Sequence, residues 1–288
     1  MNAESDARRV AHEKRVDVWI QPHLARRLRG ERHPVHDFLF TYYAYRPAQL
    51  RTWHPGYDPK VEERDGVARH ETSVLPERLP LIRQLRNLMT ATASRPPNLG
   101  CFGLHEWAMV YKEPLDPEGH RHDWPLRLGQ AATDEVVEAH RIGCSHFDAF
   151  RFFTPPAIPL NALRPGRDDR EAFEQPGCLH GGMDLYKHAF RLAPLIPAEL
   201  VADAFELAWD IRILDMRAAP YDFTGVTLDP TGEPWTPVAI ETPEGKREYA
   251  QQQRGFVERG RPIRAELIAW CDRLLDNDRD RRTTDFAS

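Results

Sequence analysis

Four of the short stretches of this 288-residue chain that set histidine close to carboxylate carry further groups that could do chemistry. The densest is 178–190, CLHGGMDLYKHAF, which carries His180, Asp184 and His188. On a helix, residues four apart share a face, so these three form a stripe. Such a stripe suits a metal site, an acid/base site or an ordinary amphipathic helix. The pair Gly181-Gly182 predicts a helix entry at that point, with His180 at or before its start. Asp184 then falls in the first turn, where the helix dipole favours a carboxylate without any metal. The stripe reduces to Asp184 and His188.

The other pairings are His105-Glu106-Trp107, His122-Asp123-Trp124, and HFDAFRFF with His146, Asp148 and Arg151. A neighbouring carboxylate raises a histidine's pKa or fixes its tautomer, as general acid/base work requires. His146 and Asp148 share a face only on a strand, where side chains alternate. Taken singly, each pair also reads as a structural histidine with a satisfied partner.

Residues 199–217 hold a second concentration of charge. By helical angle, Glu199, Asp203, Glu206, Asp210 and Arg217 fall within an arc of about 60°, and nearly all the remaining circumference is apolar. That stripe is either the one edge that meets water or the wall of a polar cavity. In a cavity, Glu206 and Asp210 would raise one another's pKa or share a cation. Arg212 and Asp215 lie on the opposite, apolar arc, and form a buried ion pair or a catalytic pair. The exit, with Arg217, Tyr221 and Asp222, makes a natural pocket rim. Phe38, Tyr42 and Tyr45 recur at helical spacing and serve either core packing or base stacking.

Hydrophobic periodicity predicts helices over 5–29, 34–50 (with a bend or break before Pro47), 75–94, 182–193 and 198–217, and another beginning at Pro243 with Thr242 as its cap. The short 194–197 connection predicts that the fourth and fifth of these are antiparallel neighbours, bringing Asp184 near Asp210. The aromatic-rich second half of 133–161 reads as strand. The fold class is mainly α: a single-domain helical architecture over 1–275 with a few short strands and Pro-rich loops, and a charged, frayed tail over 276–288.

Bulk properties set limits. The composition is 41% hydrophobic and 29% charged, ordinary for a globular protein. No run approaches a membrane span, and the charged N-terminus has no signal-peptide core. The four cysteines are widely spaced with no CxxC, which suits a reducing cytoplasm. A net charge of −5 does not favour tight DNA binding, although 23–33, HLARRLRGERH, is locally basic. There is no GxGxxG, P-loop, GxSxG or HExxH, so nucleotide-dependent redox, P-loop phosphoryl transfer and α/β-hydrolase chemistry lack their motifs.

The phrases HPVHDFLFTYYAYRPAQLRTWHPG, CFGLHEWAMVY, HDWPLRLG, HFDAFRFFTPP, EQPGCLHGGMDLYKHAF and ELAWDIRILDMRAAPYD resemble a family of actinobacterial proteins commonly labelled 3-methyladenine DNA glycosylase. The resemblance spans roughly residues 10–265. It implies hydrolytic release of alkylated purines from DNA, with no cofactor expected. Such chemistry needs a pocket for an unstacked base and a carboxylate that activates water or stabilises an oxocarbenium-like sugar. The candidate catalytic groups are Asp210, Glu206, Asp184, His146 and Asp148. Tyr42, Tyr45, Trp107, Tyr186, Arg217 and Tyr221 are the candidate substrate contacts. A second reading is a helical metalloenzyme using iron, manganese or zinc on His180, Asp184, His188, Glu206 and Asp210. A third is a non-catalytic binder of a small cationic ligand.

Overall fold

The apolar circumference of residues 198–218 requires a helix packed on nearly every side, and this helix is the axis of the molecule. The computed structural model describes residues 3–57, 66–112 and 124–285, and the side chains of these other than 66–74 and 278–285. The pair His122-Asp123 lies outside the described residues. In chain order the helices are α1 (Ala3–Leu28), α2 (Phe38–Thr41), α3 (Pro47–Arg51), α4 (Gly66–Ala93), α5 (Leu104–Ala108), α6 (Gly129–Glu138), α7 (Phe147–Phe150), α8 (Arg170–Phe173), α9 (Leu179–Leu192), α10 (Ala198–Ala218) and α11 (Pro243–Asp285). One antiparallel pair, β1 (Thr227–Leu228) with β2 (Glu233–Pro234), is the only sheet among the described residues. The chain is therefore mainly α.

Helix α10 packs on α9, α11, α1 and α3, while α4 lies against α11 and α8. The α9–α10 hairpin is antiparallel, because Gly182 meets Ile211 whereas Tyr186 meets Phe205. One hydrophobic cluster runs from Val16 to Leu274, and a smaller one gathers Val35, Val110, Tyr221, Phe223 and Trp235 around the β1–β2 turn. Thr242 caps α11: its hydroxyl accepts the Gly245 N–H at 3.1 Å and donates to the Ala239 carbonyl at 2.8 Å. No helix among the described residues is long and apolar enough to cross a membrane.

The helix over 34–50 breaks before Pro47, as expected, into α2 and α3, because Pro47 drives Arg46 into an extended conformation (φ −70°, ψ 151°). Three expectations change. The stretch read as strand holds the short helix α7 instead. Helix α9 begins at Leu179, so His180 and both glycines lie inside it rather than marking its entry. Helix α11 runs on through Asp285, past the point where a frayed tail was predicted.

Gly182, the second of the buried glycines, has a packing reason. A Cβ at Gly182 would lie 2.6 Å from Ile211 Cδ1, so the missing side chain lets α9 and α10 approach. Because that atom is the end of a flexible side chain, Gly182→Ala should change stability by less than about 1 kcal/mol, helix propensity offsetting the rotamer shift. Gly182→Val has no such escape and should lose about 1–3 kcal/mol in urea unfolding.

Candidate functional site

Buried charge needs partners, and the partners here come from separate segments of the chain. The first is introduced by a strained turn. Phe102 (φ 48°) and Gly103 (φ 70°) are both left-handed, a conformation costly for phenylalanine. A Cβ at Gly103 would already press on Ala218 Cβ at 3.2 Å. This turn launches α5, whose His105, Glu106 and Trp107 are all buried. Trp107 Nε1 donates to the Ala218 carbonyl at 2.8 Å, tying α5 to the end of α10.

At that contact, His105 Nε2 lies 2.9 Å from Asp215 Oδ1. Arg212 Nη1 donates to Asp215 Oδ2 at 3.1 Å. Glu106 Oε1 is 3.9 Å from both His105 Nε2 and Arg212 Nη1. His180 completes the group from α9, its ring edge-on to His105 with centroids 4.5 Å apart. Cys101 Sγ sits 3.6 Å from His105 Nδ1.

A second centre adjoins the first through the His146 ring, 5.4 Å from that of His180. Its focus is Asp184. Arg170 donates to Asp184 Oδ2 at 2.7 Å, and His146 Nε2 and Lys187 Nζ stand 3.3 and 3.5 Å from the same oxygen. The Tyr43 hydroxyl donates to Oδ1 at 3.4 Å. Arg170 also holds Glu174 at 2.5 Å, and Lys187 holds Asp148 at 2.9 Å.

The two centres differ in charge. Burial works against the His105 cation, but the Asp215 carboxylate outweighs it and holds the imidazole well above its ordinary range. Asp215 is itself held low, because His105 and Arg212 more than offset its burial. Burial pushes Asp184 up, yet His146 and Lys187 together hold it well below the carboxylate range. His180 is pushed down to about 3 by burial and by the His105 charge, so its imidazole is neutral. The first centre therefore offers a fixed ion pair beside a neutral, unprotonated base.

His180 and Cys101 keep partial solvent contact while their neighbours are closed off. An open cleft of about 490 Å³ lies against the same turn, walled by Asn98, Gly100, Phe102, His140, Arg141 and Gly143 among others. That volume is within the range of small-molecule sites.

Several predicted site residues are placed elsewhere. The acidic edge of α10 meets water and neighbouring helices rather than a cavity. Arg15 of α1 spans Asp203 and Glu206 at 2.7 and 2.8 Å, and Arg259 of α11 holds Asp210 at 2.7 Å with the Asp210 side chain 40% exposed. Asp184 and Asp210 serve different partners, Arg170 and Lys187 for the first and Arg259 for the second. The five-residue metal set is likewise divided: His180 joins His105, Asp184 joins Arg170, and Glu206 and Asp210 stay on the rim. His188 is buried, 3% exposed, and its Nδ1 has no partner among the described residues.

Of the aromatic candidates, Tyr45, Trp107, Tyr186 and Tyr221 are core residues. Tyr45 stacks on Phe190 at 4.9 Å, and Tyr186 is ringed by Tyr43, Phe190 and Phe205. Only Tyr42 is exposed, and it stacks on Phe38. Arg217 ties down Thr236 and Glu248 instead of rimming a pocket. His146 and Asp148 do border one centre, but on a helix and its cap, each facing a different partner. Phe102, Tyr43, Arg170 and Glu174 were missed. The CFG before LHE was the available signal for the turn; nothing local marks Arg170 or Glu174.

Two predictions follow from these environments. Asp210→Asn removes a half-exposed ion pair and should lower stability by no more than about 1 kcal/mol. Burial pushes His36, His54, His180 and His188 down to about 2, 4, 3 and 3. The unfolded chain, with histidines near 6.5, takes up protons that the folded chain refuses. Their contribution is thus full above about pH 6.5 and falls below it, until each folded value is passed. Each histidine adds a slope of up to about 1.4 kcal/mol per pH unit. Urea-unfolding free energies should drop steeply from pH 7 to 5, and His188→Gln should remove about one proton from that dependence. Compared with known proteins, the chain matches no family model, no curated protein and no solved structure.

Proposed function

We propose that the chain is a hydrolase of N-glycosidic bonds that releases alkylated purines of the 3-methyladenine type, acting through the His105–Asp215 centre. One observation carries this reading. The phrases behind the family resemblance are scattered over some 180 residues, yet five of them contribute to one pair of buried centres. They supply Tyr43, then His105 and Glu106, then His146, then Glu174, His180 and Asp184, then Arg212 and Asp215. The centre is thus moved away from Glu206 and Asp210.

The chemistry fits the groups. A cationic alkylated purine is a good leaving group, so the reaction needs a directed water and negative charge near the sugar more than it needs strong acid. Asp215 and Glu106 bring two carboxylates to the centre, set against the His105 and Arg212 cations. His180, neutral and in contact with solvent, is placed to accept a proton from water. Phe102, on the cleft wall, offers an aromatic face to a cationic base. A cleft of about 490 Å³ admits a single nucleotide and not a duplex, so the base would have to be flipped out of the helix.

The test is release of free 3-methyladenine from methylated DNA by the purified chain. His180→Ala and Asp215→Asn should each reduce the rate by about 100-fold or more, while Asp210→Asn stays within about twofold of the parent. Phe102→Ala should raise KM more than it lowers kcat. No release by the folded parent chain would refute the reading. Loss with Asp210→Asn but not with His180→Ala would refute the location.

A further inference from the structure

We propose that His105, Glu106, His180 and Asp215 form a binding site for one divalent transition-metal ion of the zinc, iron or manganese class. Donor atoms from these four residues all lie within 4.8 Å of one another. Nitrogen and carboxylate ligands bind such ions at about 2.0–2.2 Å, which places tetrahedral donors about 3.4 Å apart. The His105 Nε2 separations of 2.9 Å to Asp215 and 3.9 Å to Glu106 bracket that spacing. Small side-chain rotations would bring both to it.

A second observation is independent of the spacing. The His180 ring makes no hydrogen bond among the described residues, although it is wedged between the rings of His105 and His146. The ring keeps partial solvent contact, so its nitrogens are open to an incoming ion. A third lies in the outer contacts. Cys101 Sγ stands at the far nitrogen of His105, and Arg212 grips Asp215 through Oδ2, so that Oδ1 and His105 Nε2 face each other across the centre, where an ion would replace the proton they share. Metal sites are oriented by such supports. Two imidazoles with two carboxylates suit zinc, iron or manganese better than calcium or magnesium, which take oxygen.

The other histidine group with similar spacing, His33, His36 and Asp229, shows what a structural cluster looks like. His33 Nε2 contacts the Thr227 carbonyl, and its Nδ1 accepts the N–H groups of Val35 and His36. His36 Nε2 accepts the Asp229 N–H, and the Asp229 carboxylate is held by Arg26 at 2.5 Å. Only His36 Nδ1 is left there without a hydrogen-bond partner among the described residues. His180, by contrast, is uncommitted.

An ion at this site would lower the pKa of a bound water, with His180 then holding the ion instead of taking the proton itself; to that extent the ion's purpose rests on the hydrolysis proposed above, although its existence does not. The test uses the full chain, stripped with chelator and titrated separately with Zn²⁺, Mn²⁺, anaerobic Fe²⁺ and Co²⁺, with metal content by mass spectrometry and cobalt followed by visible absorption. The expected result is about one ion per chain, with affinity reduced at least 100-fold in His180→Ala. That variant removes no hydrogen bond, and circular dichroism checks that it remains folded. Glu106→Gln, checked the same way, should also weaken binding. Less than about one-tenth of an ion per chain, or unchanged affinity in a folded His180→Ala, overturns the site. Metal binding without base release keeps the site and removes the glycosidic reading; base release by a chain that takes up no ion does the reverse.

Discussion

An ionised carboxylate with no exposed surface is tolerable only when opposite charge reaches it, and Asp215 is such a group. Leaving it unpaired would cost several kcal/mol, a large part of a domain's net stability. Arg212, one turn earlier on α10, answers one oxygen, and His105 of α5 answers the other. That single requirement fixes where α5 must dock, which in turn sets the left-handed turn at Phe102-Gly103 and the course of the cleft wall. The apolar sheath around α10 makes the requirement strict, since water cannot substitute for either partner.

Asp184 repeats the solution with a different set. Arg170, Lys187, His146 and Tyr43 come from four segments to satisfy one buried carboxylate. The two centres differ in what they leave over. Around Asp184 positive groups are abundant and the carboxylate is saturated, which reads as architecture. Around Asp215 a neutral histidine in contact with solvent stands beside the ion pair, and chemistry can be done with it.

The helical class, the α9–α10 hairpin and the Thr242 cap were legible because periodicity and capping are local properties of the chain. The pairing of Arg212 with Asp215 was also legible, since an aspartate in the last turn of an apolar helix demands a partner. What could not be read was which face of α10 serves the site. Glu206 and Asp210 look like a catalytic pair in sequence, but α1 and α11 bring Arg15 and Arg259 to them from about 190 and 50 residues away, and no local pattern announces such visitors. The same limit hid Arg170 and Glu174. His146 misled for another reason: alternating aromatics suggest a strand, but here they ride on a single helical turn packed against the core.

The strained turn before α5 has a consequence for folding. His105 and Glu106 can reach their places only after Phe102 and Gly103 adopt a conformation that is unfavourable on its own. Asp215, meanwhile, cannot be closed off from water until His105 arrives. A half-assembled form with the α9–α10 hairpin buried and α5 undocked carries a naked carboxylate, and one with the turn formed but α10 absent carries uncompensated strain. Neither is a comfortable resting place, so the last steps of assembly are coupled and the site appears all at once. Because its members are separated by up to about 110 residues of chain, that closure is a long-range event, and slow folding is its natural kinetic signature.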